Sequence, residues 1–101
     1  MFGEPWSEEE IKASVETYLE MLHLELSGQS FVKKEYYQRL AGKFGRTIKA
    51  YEYRMQNISY VLAEKEQVWI KGLKPARNVG TNVAAEIERY LDLAKRAAKK
   101  E

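Results

Sequence analysis

Apolar side chains recur every three or four residues in four separate stretches, and each such stripe predicts an amphipathic helix. The first, Ile11, Val15, Tyr18, Leu19 and Leu22, predicts a helix over 8–26. Ser7 stands just before it and Glu10 three residues on, so each side chain can accept from the other's backbone N–H in a capping box. Glu8, Glu9 and Glu10 also occupy the positive end of the helix dipole. Trp6 is placed to fold back as a staple, and Ser27-Gly28-Gln29-Ser30 ends the helix. Tyr36, Tyr37, Leu40, Ala41 and Phe44 predict a second helix over 33–44. Gly45 would close it in the left-handed conformation, with Phe31 under its first turn. Ile48, Tyr51, Met55, Ile58 and Leu62 predict a third helix over 48–65, capped by Thr47. Val83, Ala84, Ile87, Tyr90, Leu91 and Ala94 predict a last one over 82–98, and residues 95–101 read as a solvated, fraying end.

Between the last two helices, residues 66–80 have no helical period but hold Val68-Trp69-Ile70, Gly72, Pro75 and Gly80. The stretch is too apolar for a free linker. It reads as an ordered loop in which Trp69, Ile70 and Pro75 clamp the core. No alternating run long enough for a strand occurs. The class is therefore all-α, a single domain over 1–101. Only Gly45-Arg46-Thr47 separates the second and third helices, which is the spacing of a helix-turn-helix. The first helix would pack behind the pair as a tri-helical core.

The charges are sorted along this framework. Residues 1–26 carry seven acids and one base, residues 27–80 eleven bases and four acids, and residues 81–101 five bases and four acids. The net charge of +2 hides this division. A basic middle section holding two helices points to a polyanionic partner. Cysteine is absent, which removes disulfides and thiolate zinc sites and fits a reducing compartment. With no long apolar run and no hydrophobic leader, the chain reads as cytoplasmic and without a membrane partner.

About 100° per residue around the third helix, the face opposite its apolar stripe centres on Lys49, Tyr53, Gln56 and Tyr60, flanked by Arg54 and Asn57. Arg46 and Lys49 would neutralise phosphates. Gln56 and Asn57 have the paired donor and acceptor that suit the major-groove edge of adenine. Arg54 would take phosphate or guanine, and the tyrosines would offer hydroxyls and flat faces. In a helix-turn-helix this element enters the major groove. Lys33, Lys34, Arg39 and Lys43 on the preceding helix, and Lys71, Lys74 and Arg77 in the loop, would hold the backbone. The bland alternative is an ordinary solvated helix face. His23 is the sole histidine and completes no metal site or catalytic set. Gly42 and Gly45 lack the Gly-Lys-Ser/Thr ending of a phosphate loop. No active site and no cofactor site is expected.

Several separated blocks also resemble a known module. They are Trp6-Ser7-Glu8-Glu9-Glu10, Tyr18-x-x-Met21-Leu22, Lys33-Lys34-Glu35-Tyr36, Gly45-Arg46-Thr47, Gln56-Asn57-Ile58-Ser59 with Val61-Leu62, and Trp69-Ile70-x-Gly72-x-Lys74-Pro75 with Asn78. Together, over residues 6–91, they resemble the N-terminal helical module of McrA-like HNH restriction endonucleases and related bacterial and archaeal defence proteins. The resemblance implies a DNA-associated accessory module. Val32 departs from it, standing where a small polar cap is expected. No HNH signature is present in the 101 residues, so nuclease activity does not carry over and the chain reads as a cut-out domain or a stand-alone relative. The tri-helical layout is also similar in pattern to Myb/SANT-type helix-turn-helix domains.

The expectation is thus a helix-turn-helix domain that binds double-stranded DNA and positions it for a nuclease domain or other effector. Its rival is a protein-interaction module, docking through the acidic first helix or the Trp69 loop, or dimerising through the last helix. A reader of modified bases is a third possibility.

Overall fold

The computed structural model describes residues 5–99, and four helices account for most of them: α1 (Glu8–Leu26), α2 (Lys33–Phe44), α3 (Ile48–Glu64) and α4 (Thr81–Lys99). No strand forms among the described residues. Of the expected solvated end, residues 95–98 are helical and exposed, while 100 and 101 lie outside the described residues.

The helix ends follow from local chemistry. Ser7 N–H donates to Glu10 Oε1 at 2.8 Å and Glu10 N–H to Ser7 Oγ at 3.1 Å, completing the capping box. Thr47 Oγ1 accepts from the Ala50 N–H at 3.0 Å. Gly45 ends α2 at φ 90°, a conformation that a Cβ disfavours, and its N–H donates to Ala41 C=O. Val32 caps α2 with no side-chain hydrogen bond.

α1 and α3 run side by side in the same sense. Arg46, just before α3, reaches Glu10 in the first turn of α1, and further along the Tyr18 and Ser59 hydroxyls meet at 2.7 Å. α2 packs on one side of this pair and α4 on the other, and α2 and α4 do not touch within the described residues. The core joins Ile11, Val15, Tyr18 and Met21 of α1, Tyr37 and Leu40 of α2, Tyr51, Met55, Ile58 and Leu62 of α3, and Ile87 and Leu91 of α4. Each large side chain so buried contributes about 1.5–3 kcal/mol of transfer free energy.

The segment between α3 and α4 is part of that core. Ile70 and Leu73 are fully buried, whereas Trp69 and Pro75 are only half-buried. Ile70 and Leu73 are therefore the buried anchors, Leu73 being one the sequence did not single out, and the expected Trp69 packs against the core beside them. The Ile70 N–H donates to Tyr18 Oη at 2.9 Å, and the Lys71 N–H donates to Glu25 Oε2 at 2.8 Å. Trp6 packs against the core. Its ring packs edge-on against Tyr51 of α3, 5.2 Å between centroids.

Candidate nucleic-acid interface

The face of α3 expected to meet DNA is covered by the protein's own loop. The Ala76 N–H donates to the Gln56 carbonyl at 3.0 Å, and Asn57 Nδ2 donates to the Ala76 carbonyl at 2.8 Å. One turn earlier, the Tyr53 hydroxyl donates to the Asn78 carbonyl at 2.8 Å. A peptide stretch thus lies along the helix, held at three successive points.

Several expected contacts change role as a result. Asn57 is completely buried and supports the loop, so it does not present its amide to a base edge. Gln56 and Tyr60 are half-buried, and Tyr60 packs against the core. Tyr53 keeps an exposed ring edge while its hydroxyl is engaged.

The two arginines are likewise turned inward. Arg46 Nε donates to Glu10 Oε2 at 2.7 Å, and its Nη2 donates to Glu10 Oε1 at 3.1 Å and to the Pro5 carbonyl at 2.9 Å. Arg46 is a structural tie and not the expected phosphate contact. Its guanidinium holds the Glu10 carboxyl below the usual carboxylate range. Arg54 Nη1 donates to Asn57 Oδ1 at 2.9 Å, and burial lowers its own pKa. Both guanidiniums lie 4.3 Å from the Trp6 ring, close enough for each to engage the negative π-face. Tyr51, buried beside them, has its hydroxyl pushed up to about 12, chiefly by burial. Arg54, expected on phosphate or guanine, is committed to Asn57 and Trp6.

The remaining cations lie at the start of α2 and along the loop. A Cβ built on Gly72 would lie 3.5 Å from Lys33 Nζ, so the loop touches the start of α2. Lys34 adjoins Lys33, and Lys71 and Lys74 lie within two residues of Gly72, with about 3.8 Å between successive Cα atoms. Lys34, Lys71, Lys74 and Arg77 are exposed and Lys33 half-exposed. None of the five has a carboxylate within ion-pair distance among the described residues. Along the chain the nearest acids are Glu35 in the first turn of α2 and Glu66 before the loop, and in space Glu25 accepts from the Lys71 backbone. Asn78 binds Tyr53, and Lys49, exposed one helical turn before Tyr53, extends the same side of α3. Residues 76–78 therefore lie on the outer surface of α3, with the exposed Arg77 among them.

Arg39 and Lys43 lie elsewhere. They line a cleft of about 320 Å³ between α1 and α2 with Glu16 and Glu20, and Arg39 sits 3.8 Å from Glu20. Lys65 bridges to Glu88 at 2.8 Å and to Asp92 at 3.8 Å, tying α3 to α4. No group of three or more acid or histidine side chains among the described residues could hold a metal ion. No helix among them is long and apolar enough to cross a membrane.

The domain is all-α, with exposed cations at the start of α2 and along the loop between α3 and α4. No family model matches the chain, and no curated protein or solved structure matches it.

Proposed function

We propose that this domain is a duplex-DNA-binding accessory module that grips the phosphate backbone through its loop and the start of α2, and holds DNA for a nuclease or defence effector joined to it or recruited by it. The observation that carries the reading is the contact of Lys33 with the loop at Gly72, which brings the start of α2, with Lys34, to the part of the loop that bears Lys71 and Lys74. Arg77 continues the group along the loop, and no acid stands between Glu66 and Glu86. Cations without internal counter-charges gain most from displacing counterions off a polyanion. Base readout by α3 is not part of the proposal, because Asn57, Arg54 and the Gln56 backbone already have partners inside the fold. Binding should therefore be largely independent of sequence.

Fluorescence anisotropy with a random-sequence duplex tests this. Five phosphate contacts give a slope of log K against log salt of roughly −4.5, or roughly a 500-fold loss of affinity from 50 to 200 mM. A K71E/K74E/R77E variant should bind far more weakly with an unchanged helical spectrum. Undetectable binding of the wild type at 50 mM salt would end the proposal.

One feature favours the rival reading of a protein-interaction module. A groove of about 390 Å³ runs between α1 and α4, lined by Leu19, Leu22, Leu62, Val68, Leu91 and Ala94 among others, and Val68 at its edge is 60% exposed. If that groove were the sole working surface, duplex binding would be absent.

A further inference from the structure

Of the groups that hold the loop on α3, one buried side chain is itself held in a fixed orientation. Asn57 is wholly buried, with its Nδ2 on the Ala76 carbonyl and its Oδ1 on Arg54 Nη1. A guanidinium only donates, so Arg54 must face the amide oxygen, which turns the amide nitrogen toward the loop. Arg54 is itself held against the Trp6 ring, and its Nε is buried without a hydrogen-bond partner. A guanidinium kept there with one donor unsatisfied is costly, and its visible effect is to orient Asn57. On the same residue, the Ala76 N–H donates to a carbonyl inside α3, that of Gln56. Ala76 is thus held through both its N–H and its carbonyl, in two consecutive peptide groups, and the loop's cations flank it, Lys74 two residues before and Arg77 directly after.

We propose that Asn57, oriented by Arg54, is the positioning residue of the basic loop: its amide docks the Ala76 peptide on α3 and so sets Lys74 and Arg77 in line with Lys33 and Lys34 for one polyanion. The inference rests on the DNA-binding reading above. Asn57 touches no nucleic acid. It acts by removing in advance the conformational freedom that the loop would otherwise lose on binding.

Two variants break the dock from opposite sides. Asn57→Asp keeps an acceptor for Arg54 but presents only oxygen to the Ala76 carbonyl. Ala76→Pro removes the N–H given to Gln56 without placing any charge in the core, so it serves if Asn57→Asp fails to fold. Each is tested as the full chain, with circular dichroism to check the helices, amide hydrogen exchange across residues 70–79 in the absence of DNA, and duplex affinity at several salt concentrations. The expected result is fast exchange of the loop amides, including that of Ala76 in Asn57→Asp, and retained helices. Affinity should fall on the order of tenfold, since ordering even a residue or so of chain on binding costs about that factor. The salt slope should shrink from roughly −4.5 toward roughly −2.7, the share of Lys33, Lys34 and Lys71, which the dock does not set. A merely structural role would lower stability but leave the slope of the folded fraction unchanged. A wild type that binds duplex while a folded variant keeps the full slope overturns the positioning role alone. A wild type that does not bind removes the functional reading and this inference with it.

Discussion

Replacing Arg46 by Met separates the two roles this residue could play. The substitution keeps an apolar stem beside Trp6 and removes the guanidinium. Lost are two charge-assisted hydrogen bonds to Glu10 and one to the Pro5 carbonyl. Glu10 is only 7% exposed and is left without its counter-charge, though Ser7 still donates to it. Removing one partner of a buried pair costs about 3–5 kcal/mol. The Arg46 side chain retains 20% exposure, so about 3 kcal/mol is the expected loss, a large part of the roughly 5–15 kcal/mol that holds a domain of this size. The melting temperature should fall by roughly 15 °C. The pH dependence has a definite sign. Glu10's folded pKa lies below its ordinary value of 4.5, so its contribution is complete above that value and is lost as pH falls through the lowered one. The stability gap between wild type and variant should therefore be widest near neutrality and narrow in acid. Urea titrations followed by circular dichroism at several pH values measure the gap, and duplex anisotropy on the folded variant measures any loss of binding. A variant within about 0.5 kcal/mol of wild type but several-fold weaker on DNA would refute the reasoning, because that is the behaviour of a phosphate contact.

Other substitutions probe the frame that carries the loop. Leu73→Ala should cost about 2–5 kcal/mol in urea denaturation, as for a core leucine, whereas a loop merely resting on the surface would lose almost nothing. Tyr18→Phe removes the hydroxyl that meets Ser59 and accepts from the Ile70 N–H; about 1–3 kcal/mol should be lost, and amide exchange at Ile70 should accelerate. Gly45→Ala at φ 90° should destabilise by about 1–2 kcal/mol, read as a shifted urea midpoint with an unchanged slope.

The helices were legible because their signals are local. Ser7 with Glu10, Thr47 and Gly45 each act within four residues, and the apolar stripes have only one face to bury. The fate of the polar face of α3 depended on where a distant segment returns. Asn, Gln, Arg and Tyr suit base edges and peptide groups equally well, because both present one donor beside one acceptor. Periodicity therefore could not distinguish Asn57 as a reader from Asn57 as a dock for Ala76. A usable sign was nevertheless present. Tyr53 and Tyr60 place two aromatic rings on a face that should have been solvated, and Ile70 and Leu73 are spaced to anchor a loop nearby. Arg46 was misleading for a similar reason. Glu10 looked fully employed by the capping box, yet a carboxylate has acceptor sites to spare, and the same group also serves Arg46. The grouping of Lys33 with the loop at Gly72 spans nearly forty residues of sequence and follows only from α2 and the loop meeting in space.

On the proposed function, the loop and the start of α2, rather than the exposed side of α3, meet the polyanion. Titrating the isotopically labelled chain with a short random-sequence duplex, and following every backbone amide by NMR, addresses it residue by residue. The account predicts that the largest shifts fall at 33–34 and 71–78 and diminish together as salt is raised. Shifts concentrated along α3 with a silent loop, or no shifts at low salt, would contradict it.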